Sequence, residues 1–380
     1  MQASTLAASA QSAPARTALY GLHRELGAKL VCFAGYSMPL NYPAGILAEH
    51  RHTRAQASLF DVSHMSRFRI QGDAAASALE SLCPADLVNL APGQLRYSVM
   101  TNESGGCIDD VIIRRAGNDF EIIANAANRD NDHAWLCDRI GQRCQVRLDE
   151  YFSLLALQGP AAAAVMRELN PDSDKLGFMQ TGQLPLAGID CRVGRAGYTG
   201  EDGFEISVPI DATTKLAQRL LAHEQVQPAG LGARDGLRLE AGLSLYGHEL
   251  DATTSPVEAG LGWAIAKARR LSGARAGGFP GHERILAELK SGPSRRLTGL
   301  LPDTRSPLRS GTLLIDSNGT TIGTVTSGGH SPILKRPVAI GYIDSGALNT
   351  EIPVYADNRG KRIHVELTRL PFIPHKYIRR

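Results

Sequence analysis

The sequence predicts an α+β protein that ends in a small all-β domain. Two observations predict it. Consecutive strand signals at Leu95 to Thr101, Ile108 to Ile113 and Asp119 to Asn125 form an antiparallel meander, and segments of helical periodicity lie around it. Beyond residue 297 the chain changes character: short strands at Leu297, Gly311, Thr321, Val338 and Ile363 are separated by Gly, Pro, Asn and Asp turns, the pattern of a small barrel or sandwich. A chain of 380 residues exceeds one ordinary core and fits two or three domains.

Taken in order, residues 1 to 16 are mostly Ala, Ser and Gln with a single Arg16, read as a short disordered tail too poor in arginine for an organelle presequence. Thr17 to Gly27 is helical, with Leu19, Leu22 and Leu26 on one face and Gly27 as C-cap. A strand-like run at Lys29 to Gly35 follows, then a helix from Gly45 to Ala57 carrying Glu49, His50, Arg51, His52 and Arg54. That charge density suits an anion site or, more commonly, a solvated helix face. Leu59 to Ile70 turns into an alternating strand, with His64 as a fixed structural imidazole, since no partner lies at ligand spacing. Ala74 to Leu82 and Arg129 to Ile140 are helical, and Phe152 to Gln158 is a buried strand followed by an alanine-rich helix. The glycine-rich and polar interval 273–296 reads as a linker.

Two places carry unusual charge. Asn102 to Gly106 is turn chemistry, and directly after it Asp109 and Asp110 head an apolar strand. Neighbours in a strand face opposite ways, so one of the two is buried or lines a cleft unless both cap a twisted strand end. Periodicity does not choose between them, because both faces of the strand carry Ile or Val. The second place is Cys191 to Val208, where Gly197, Gly200 and Gly203 permit close backbone approach and Glu205 lies inside the next strand. That carboxylate needs a donor, supplied by a salt bridge within the protein or by a ligand. The helical segment Gly230 to Gly242 then places Arg234 and Arg238 one turn apart, a pair suited to carboxylates.

Composition excludes several classes. With 41 basic and 38 acidic residues, the net charge of +3 indicates no general nucleic-acid or membrane-surface role. No window reaches the roughly 20 apolar residues of a membrane span. The six cysteines form no C-x-x-C pair and no zinc spacing, so they read as reduced, mostly buried thiols of a cytoplasmic protein. A mitochondrial matrix location is the alternative if residues 1–16 are a processed remnant. Phosphate-loop, H-E-x-x-H and G-x-S-x-G patterns are absent, and Gly194 to Gly200 leads into a strand and so is no dinucleotide fingerprint.

Several stretches, in this order, resemble the aminomethyltransferase (T-protein) family of the glycine cleavage system. They are Phe60 to Met65, Thr101 to Asp110, Gly197 to Glu205, Gly232 to Gly242, Thr324 to Gly328 and Pro371 to Pro374. The resemblance implies a folate-binding α+β region of two interleaved subdomains around a central cavity at 17–272 and a β-barrel at 297–380. It implies tetrahydrofolate as co-substrate, no metal, lipoylated H-protein as partner, and formation of 5,10-methylenetetrahydrofolate and ammonia. Carried over residue by residue, Asp110 matches the catalytic carboxylate. Glu205 matches the residue that hydrogen-bonds the pterin, Arg234 and Tyr377 match further folate contacts, and Met65 and Tyr97 match cavity-lining positions. Tyr36, where many members have tryptophan, and Cys107, where an aliphatic is usual, depart from the pattern. A folate-dependent demethylase would share the fold. So would a non-catalytic folate-binding relative acting in tRNA modification or iron–sulfur assembly, but its Lys-Gly-Cys-Tyr-x-Gly-Gln-Glu signature is absent.

Overall fold

Residues Leu95–Thr101, Cys107–Ala116, Asp119–Ala124, Ser66–Gln71 and Gln145–Leu148 form, in that spatial order, a five-stranded antiparallel sheet. The structure, a computed structural model, describes residues 13–348, 352–358 and 360–379. The meander is present with the expected order. Its alternation is clean: Phe68, Ile70, Val111, Ile113, Phe120 and Ile122 point into a core closed by the helices Ala75–Glu80 and Arg129–Ile140.

A six-stranded sheet runs in the order Thr181–Leu186, Ile189–Gly194, Gly203–Pro209, Phe152–Gln158, Ala57–Asp61 and Val226–Pro228. One of its faces packs Leu155, Leu157, Phe204 and Ile206 against Met166, Leu216 and Leu220 of the helices Ala162–Leu169 and Thr213–Leu221. The chain crosses between the sheets twice. Ala57–Asp61 belongs to this sheet, the segment 66–148 builds the other, and Phe152–Gln158 returns. The α+β expectation therefore holds, and the two sheets interleave in sequence.

The remaining faces of both sheets look at each other. Leu95, Ile112, Arg114 and Ile123 of one sheet and Leu154, Arg192, Gly194 and Glu205 of the other line a common narrow cleft. Arg114 and Arg192 meet there on Glu121, at 2.9 and 2.7 Å, so part of its charge is compensated within the protein.

The C-terminal strands close into a six-stranded barrel: Arg295–Pro302, Arg336–Asp344, Thr321–Ser331, Leu313–Ile315, Val354–Asn358 and Lys361–Thr368. It is a barrel and not a sandwich, and Val354–Asn358 is a strand that the sequence pattern did not announce. Leu239 at the end of helix Leu231–Glu240 packs on Val338 and Ile340, docking the barrel on the folded body.

Three local expectations change. Ala15–Arg16, placed in the disordered tail, pairs in parallel with Tyr36–Ser37, while residues 1–12 of that tail lie outside the described residues. A helix, His282–Ser291, occupies the interval read as a linker, because Ile285 packs on Ile265 and Phe279. The charged helix, observed at Ile46–Ala55, is no solvated face. Glu49, His50 and Arg54 are buried, and Arg54 is held by Glu201 at 3.0 Å and Glu240 at 2.8 Å. Its guanidinium finds two buried carboxylates, so burial leaves no charge uncompensated.

Candidate active site

The turn ahead of Asp110 is fixed by its glycines and by Asn102. Gly105 has φ +82°, and a Cβ on Gly106 would lie 1.9 Å from the Ala252 carbonyl oxygen, so only glycine fits. The Asn102 amide donates to that same carbonyl at 2.7 Å, while its Oδ1 accepts from the Gly106 N–H at 3.0 Å. The strand Cys107–Ala116 then alternates. Asp109 and Val111 go to the core side and Asp110 goes to the face that looks at the second sheet, while the register shift at Met100 and Thr101 places Cys107 with Val99 and Tyr97. Asp110 accepts from the Tyr97 hydroxyl at 3.1 Å and from the Asn125 amide at 2.8 Å. Burial, then the charge of Asp109, pushes its carboxyl up to about 7. Asp109 is fully buried and accepts from the Asn125 N–H at 2.9 Å and the Asn125 amide at 2.6 Å. One asparagine thus ties both carboxylates together.

A second group lies nearby. Phe204 and Ile206 are committed to the core, so alternation turns Glu205 out of it, and among the described residues no donor reaches its carboxylate. The salt bridge weighed for Glu205 is not formed. Burial raises its pKa and the Arg234 charge pulls it down. Arg234 lies 4.7 Å over the Tyr198 ring, and its buried Nη1 meets no hydrogen-bond partner. His64 is likewise buried with Nδ1 unpaired, and burial pushes it down to about 4, so the imidazole is neutral at physiological pH. Its ring contacts Phe33, at 5.5 Å between centroids. Tyr198 joins the two groups, since the charges of both Asp110 and Arg234 act on its hydroxyl.

A shallow exposed site would not strand the Arg234 and His64 nitrogens in this way, and known proteins show what the arrangement belongs to. Residues 19–269 match the model of the GCVT N-terminal domain, and residues 295–373 match that of the glycine cleavage T-protein C-terminal barrel domain. The chain belongs to the glycine cleavage T-protein family. A mitochondrial aminomethyltransferase of Dictyostelium discoideum is 42% identical, the alignment covering 95% of this chain and 93% of the relative. A probable mitochondrial aminomethyltransferase of Schizosaccharomyces pombe is 43% identical, covering 99% and 96%. The crystal structure of glycine cleavage system aminomethyltransferase T from Bartonella henselae superposes with a TM-score of 0.89 at 44% identity, covering 96% of this chain and 99% of that one.

Against the T-protein pattern, the six expected site residues fall in three places. Asp110 and Tyr97 are in direct contact. Glu205 and Arg234 face each other's charge, with Met65 packed close by against the Phe60, Ala233 and Leu237 cluster. Tyr377 sits on another wall, stacked on Phe178 at 4.1 Å, and burial pushes its phenol up to about 12. Among the described residues no hydrogen bond joins Tyr377 to Asp110, Glu205 or Arg234. Arg238 separates from Arg234: it is fully committed to Glu249 at 2.8 Å and to Ser327 of the barrel at 2.7 Å, which makes it a docking residue. Sequence reading missed Asn125, whose role depends on a contact across strands. It also missed Tyr198 and the exposed Trp263, stacked 5.3 Å from Tyr97. As one of only two tryptophans, Trp263 was the one of these with a compositional signal.

The residues present fit a reduced pterin with an aromatic tail. The half-buried Glu205 offers an acceptor, the buried and unpartnered nitrogens of Arg234 and His64 offer a cationic donor and a neutral imidazole, and the aromatic faces of Tyr97, Trp263 and Phe178 offer stacking.

Proposed function

We propose that this chain is the aminomethyltransferase of the glycine cleavage system, taking the one-carbon unit from the aminomethylated lipoyl arm of H-protein to tetrahydrofolate. The products are 5,10-methylenetetrahydrofolate, ammonia and dihydrolipoyl H-protein. Beyond family membership, one observation carries the reading. A carboxyl that titrates near neutrality, Asp110, and the Arg234 guanidinium, whose buried Nη1 lacks a hydrogen-bond partner, both act on Tyr198, and the half-buried Glu205 faces the Arg234 charge.

Tetrahydrofolate supplies the amine nitrogens that capture the one-carbon unit. Glu205 is suited to accept two parallel hydrogen bonds from an amino-pyrimidine edge, a geometry that a carboxylate also offers to guanidinium. Arg234, stacked on Tyr198, supplies a fixed donor whose orientation costs little on binding. Asp110, oriented by Tyr97 and Asn125, accepts the proton released as a nitrogen forms its new bond, and its anion stabilises the positive charge that develops there. A base whose pKa lies near the working pH is efficient in that role. Tyr377, Met65 and Tyr97 complete the walls of the site, and no metal is required by these steps.

The curated relatives named above carry mitochondrial names, which favours the mitochondrial matrix over the cytoplasm expected from the cysteines. The test of the function is direct. Purified protein incubated with aminomethylated H-protein and tetrahydrofolate should release ammonia and form methylenetetrahydrofolate in equal amounts. Ammonia release that is independent of tetrahydrofolate, or no release at all, would contradict the reading.

A further inference from the structure

The loop that carries Trp263 is rigid and yet presents large apolar side chains to solvent. Its backbone is pinned by the Ala266 N–H on the Pro84 carbonyl at 3.0 Å, by the Arg275 N–H on the Ala268 carbonyl at 2.9 Å, and by Ile265, which packs on Phe279 and Ile285. Two of its cations, Arg269 and Arg275, are committed to Glu80, at 2.8 and 2.6 Å. Lys267 is exposed, and among the described residues neither it nor Arg270 pairs with a carboxylate. Arg270 is fixed all the same, because its Nε donates to the Ile265 carbonyl at 3.0 Å and its Nη2 to the Gly262 carbonyl at 2.9 Å, next to Trp263. The Nη1 edge of that guanidinium makes no hydrogen bond among the described residues and is left for an anion. Trp263 keeps 66% and Leu271 61% of its surface exposed. Single exposed apolar residues need no explanation, but a tryptophan and a leucine set around two unpaired cations on a pinned loop have the make-up of a protein-binding hot spot.

We propose that Trp263, Lys267, Arg270 and Leu271 form the docking surface for the lipoylated donor protein, and that the partner face they receive is acidic around an apolar centre. This rests on the aminomethyltransferase reading, and the place of the loop carries the choice of partner. Trp263 stacks on Tyr97 at 5.3 Å, and the Tyr97 hydroxyl donates to Asp110 at 3.1 Å, so the exposed ring is two contacts away from the reacting carboxyl. A one-carbon unit carried on a tethered arm reaches Asp110 when its carrier is held beside that ring, since a tether raises the local concentration of its end only where it can span the distance. A free small molecule needs no such platform. Because the loop is already pinned, little order is lost when a partner settles on it, and Lys267 and Arg270 attract an acidic face and fix its orientation.

The test is made on the full chain carrying Lys267→Glu and Leu271→Asp together, two exposed positions outside the folate contacts, with Lys215→Glu on the exposed side of helix Thr213–Leu221 as a charge-reversal control. In the double variant, KM for aminomethylated H-protein should rise by about tenfold or more, while kcat and the KM for tetrahydrofolate stay at the parent values. Added salt should raise the parent's KM for H-protein and change that of the double variant less. Lys215→Glu should match the parent throughout. A KM for H-protein that is unchanged in the double variant, or that rises equally in Lys215→Glu, overturns the docking surface. A rise confined to the KM for tetrahydrofolate also overturns it and assigns the cations to the carboxylates of the folate tail. Failure of the functional reading shows separately, as a parent that does not turn over H-protein with tetrahydrofolate. Calorimetric binding of H-protein then decides the surface: binding to the parent that is lost in the double variant supports it, and equal binding or none overturns it.

Discussion

Asp110 is useful because of what surrounds it. Its pKa is pushed up to about 7 by burial and by Asp109, and Tyr97 and Asn125 offset that push only in part. If the anion is the active form, kcat/KM should fall about tenfold per pH unit below about pH 7 and level off above it. A flat profile between pH 5.5 and 8 would remove Asp110 from the base role. Glu205 makes a complementary prediction: Glu205→Ala should weaken tetrahydrofolate binding by about 1–3 kcal/mol, read by calorimetry, while the free fold keeps its stability, because no protein donor is left behind. An unchanged dissociation constant would rule out the pterin contact. At this scale the sequence was half legible. The tandem Asp and the strand Glu stood out as charge in apolar strands, but the choice of Asp110 came from family resemblance. The choice has a physical basis in the strand pleat, which buries Asp109 and sends Asp110 to the opposite face, beside Tyr97. Asn125 carried no signal at all, since the contact that gives it meaning is 15 residues away in sequence.

The elements that hold these residues are unequal in how tightly they are specified. The turn Asn102–Gly106 tolerates no Cβ at Gly106, where the Ala252 carbonyl already sits. Gly106→Ala should therefore cost about 1–3 kcal/mol in a denaturation midpoint and lower kcat/KM as the Asp110 strand shifts. A variant with both values intact would mean that the turn does not set the aim of Asp110. Helices read from periodicity appeared within a few residues of their expected ends, as with Arg129–Ile140. The charged helix Ile46–Ala55 misled because its partners Glu201 and Glu240 come from distant segments, and local charge density does not reveal a buried ion pair. The linker helix His282–Ser291 escaped for a similar reason, since its apolar face is covered by residues brought in by the fold.

Across the whole molecule, one buried carboxylate ties the body to the barrel. Glu240 accepts from His50 at 2.8 Å, from the Arg54 guanidinium at 2.8 Å, and from the Ser331 hydroxyl on the barrel. Burial opposes its ionisation, and the His50 hydrogen bond leads the interactions that keep its pKa low. Its stabilising contribution is therefore present above the unfolded pKa and lost as pH falls through the lower folded value. Glu240→Ala should cost about 3–5 kcal/mol, because it removes one of the two carboxylates holding the buried Arg54 guanidinium and the hydrogen-bond partners of buried His50 and Ser331. A loss below about 1 kcal/mol would show the network to be dispensable. The C-terminal segment is anchored to the same region, with the Lys376 N–H on the Gly200 carbonyl at 2.8 Å and its ammonium 3.1 Å from Glu201, and it carries Tyr377 to the wall formed by Phe178. The domain order was legible in the sequence as a change of strand pattern near residue 297. The interleaving of the sheets was not, since it depends on which strands pair. All of this positions one carboxylate, and the measurement that bears on it most directly is single-turnover formation of methylenetetrahydrofolate by Asp110→Asn, with tetrahydrofolate binding measured on the same sample. The expected result is binding within a few-fold of the parent and turnover reduced by about 10²-fold or more, in line with loss of a general base. Turnover equal to the parent's would contradict the assignment of Asp110.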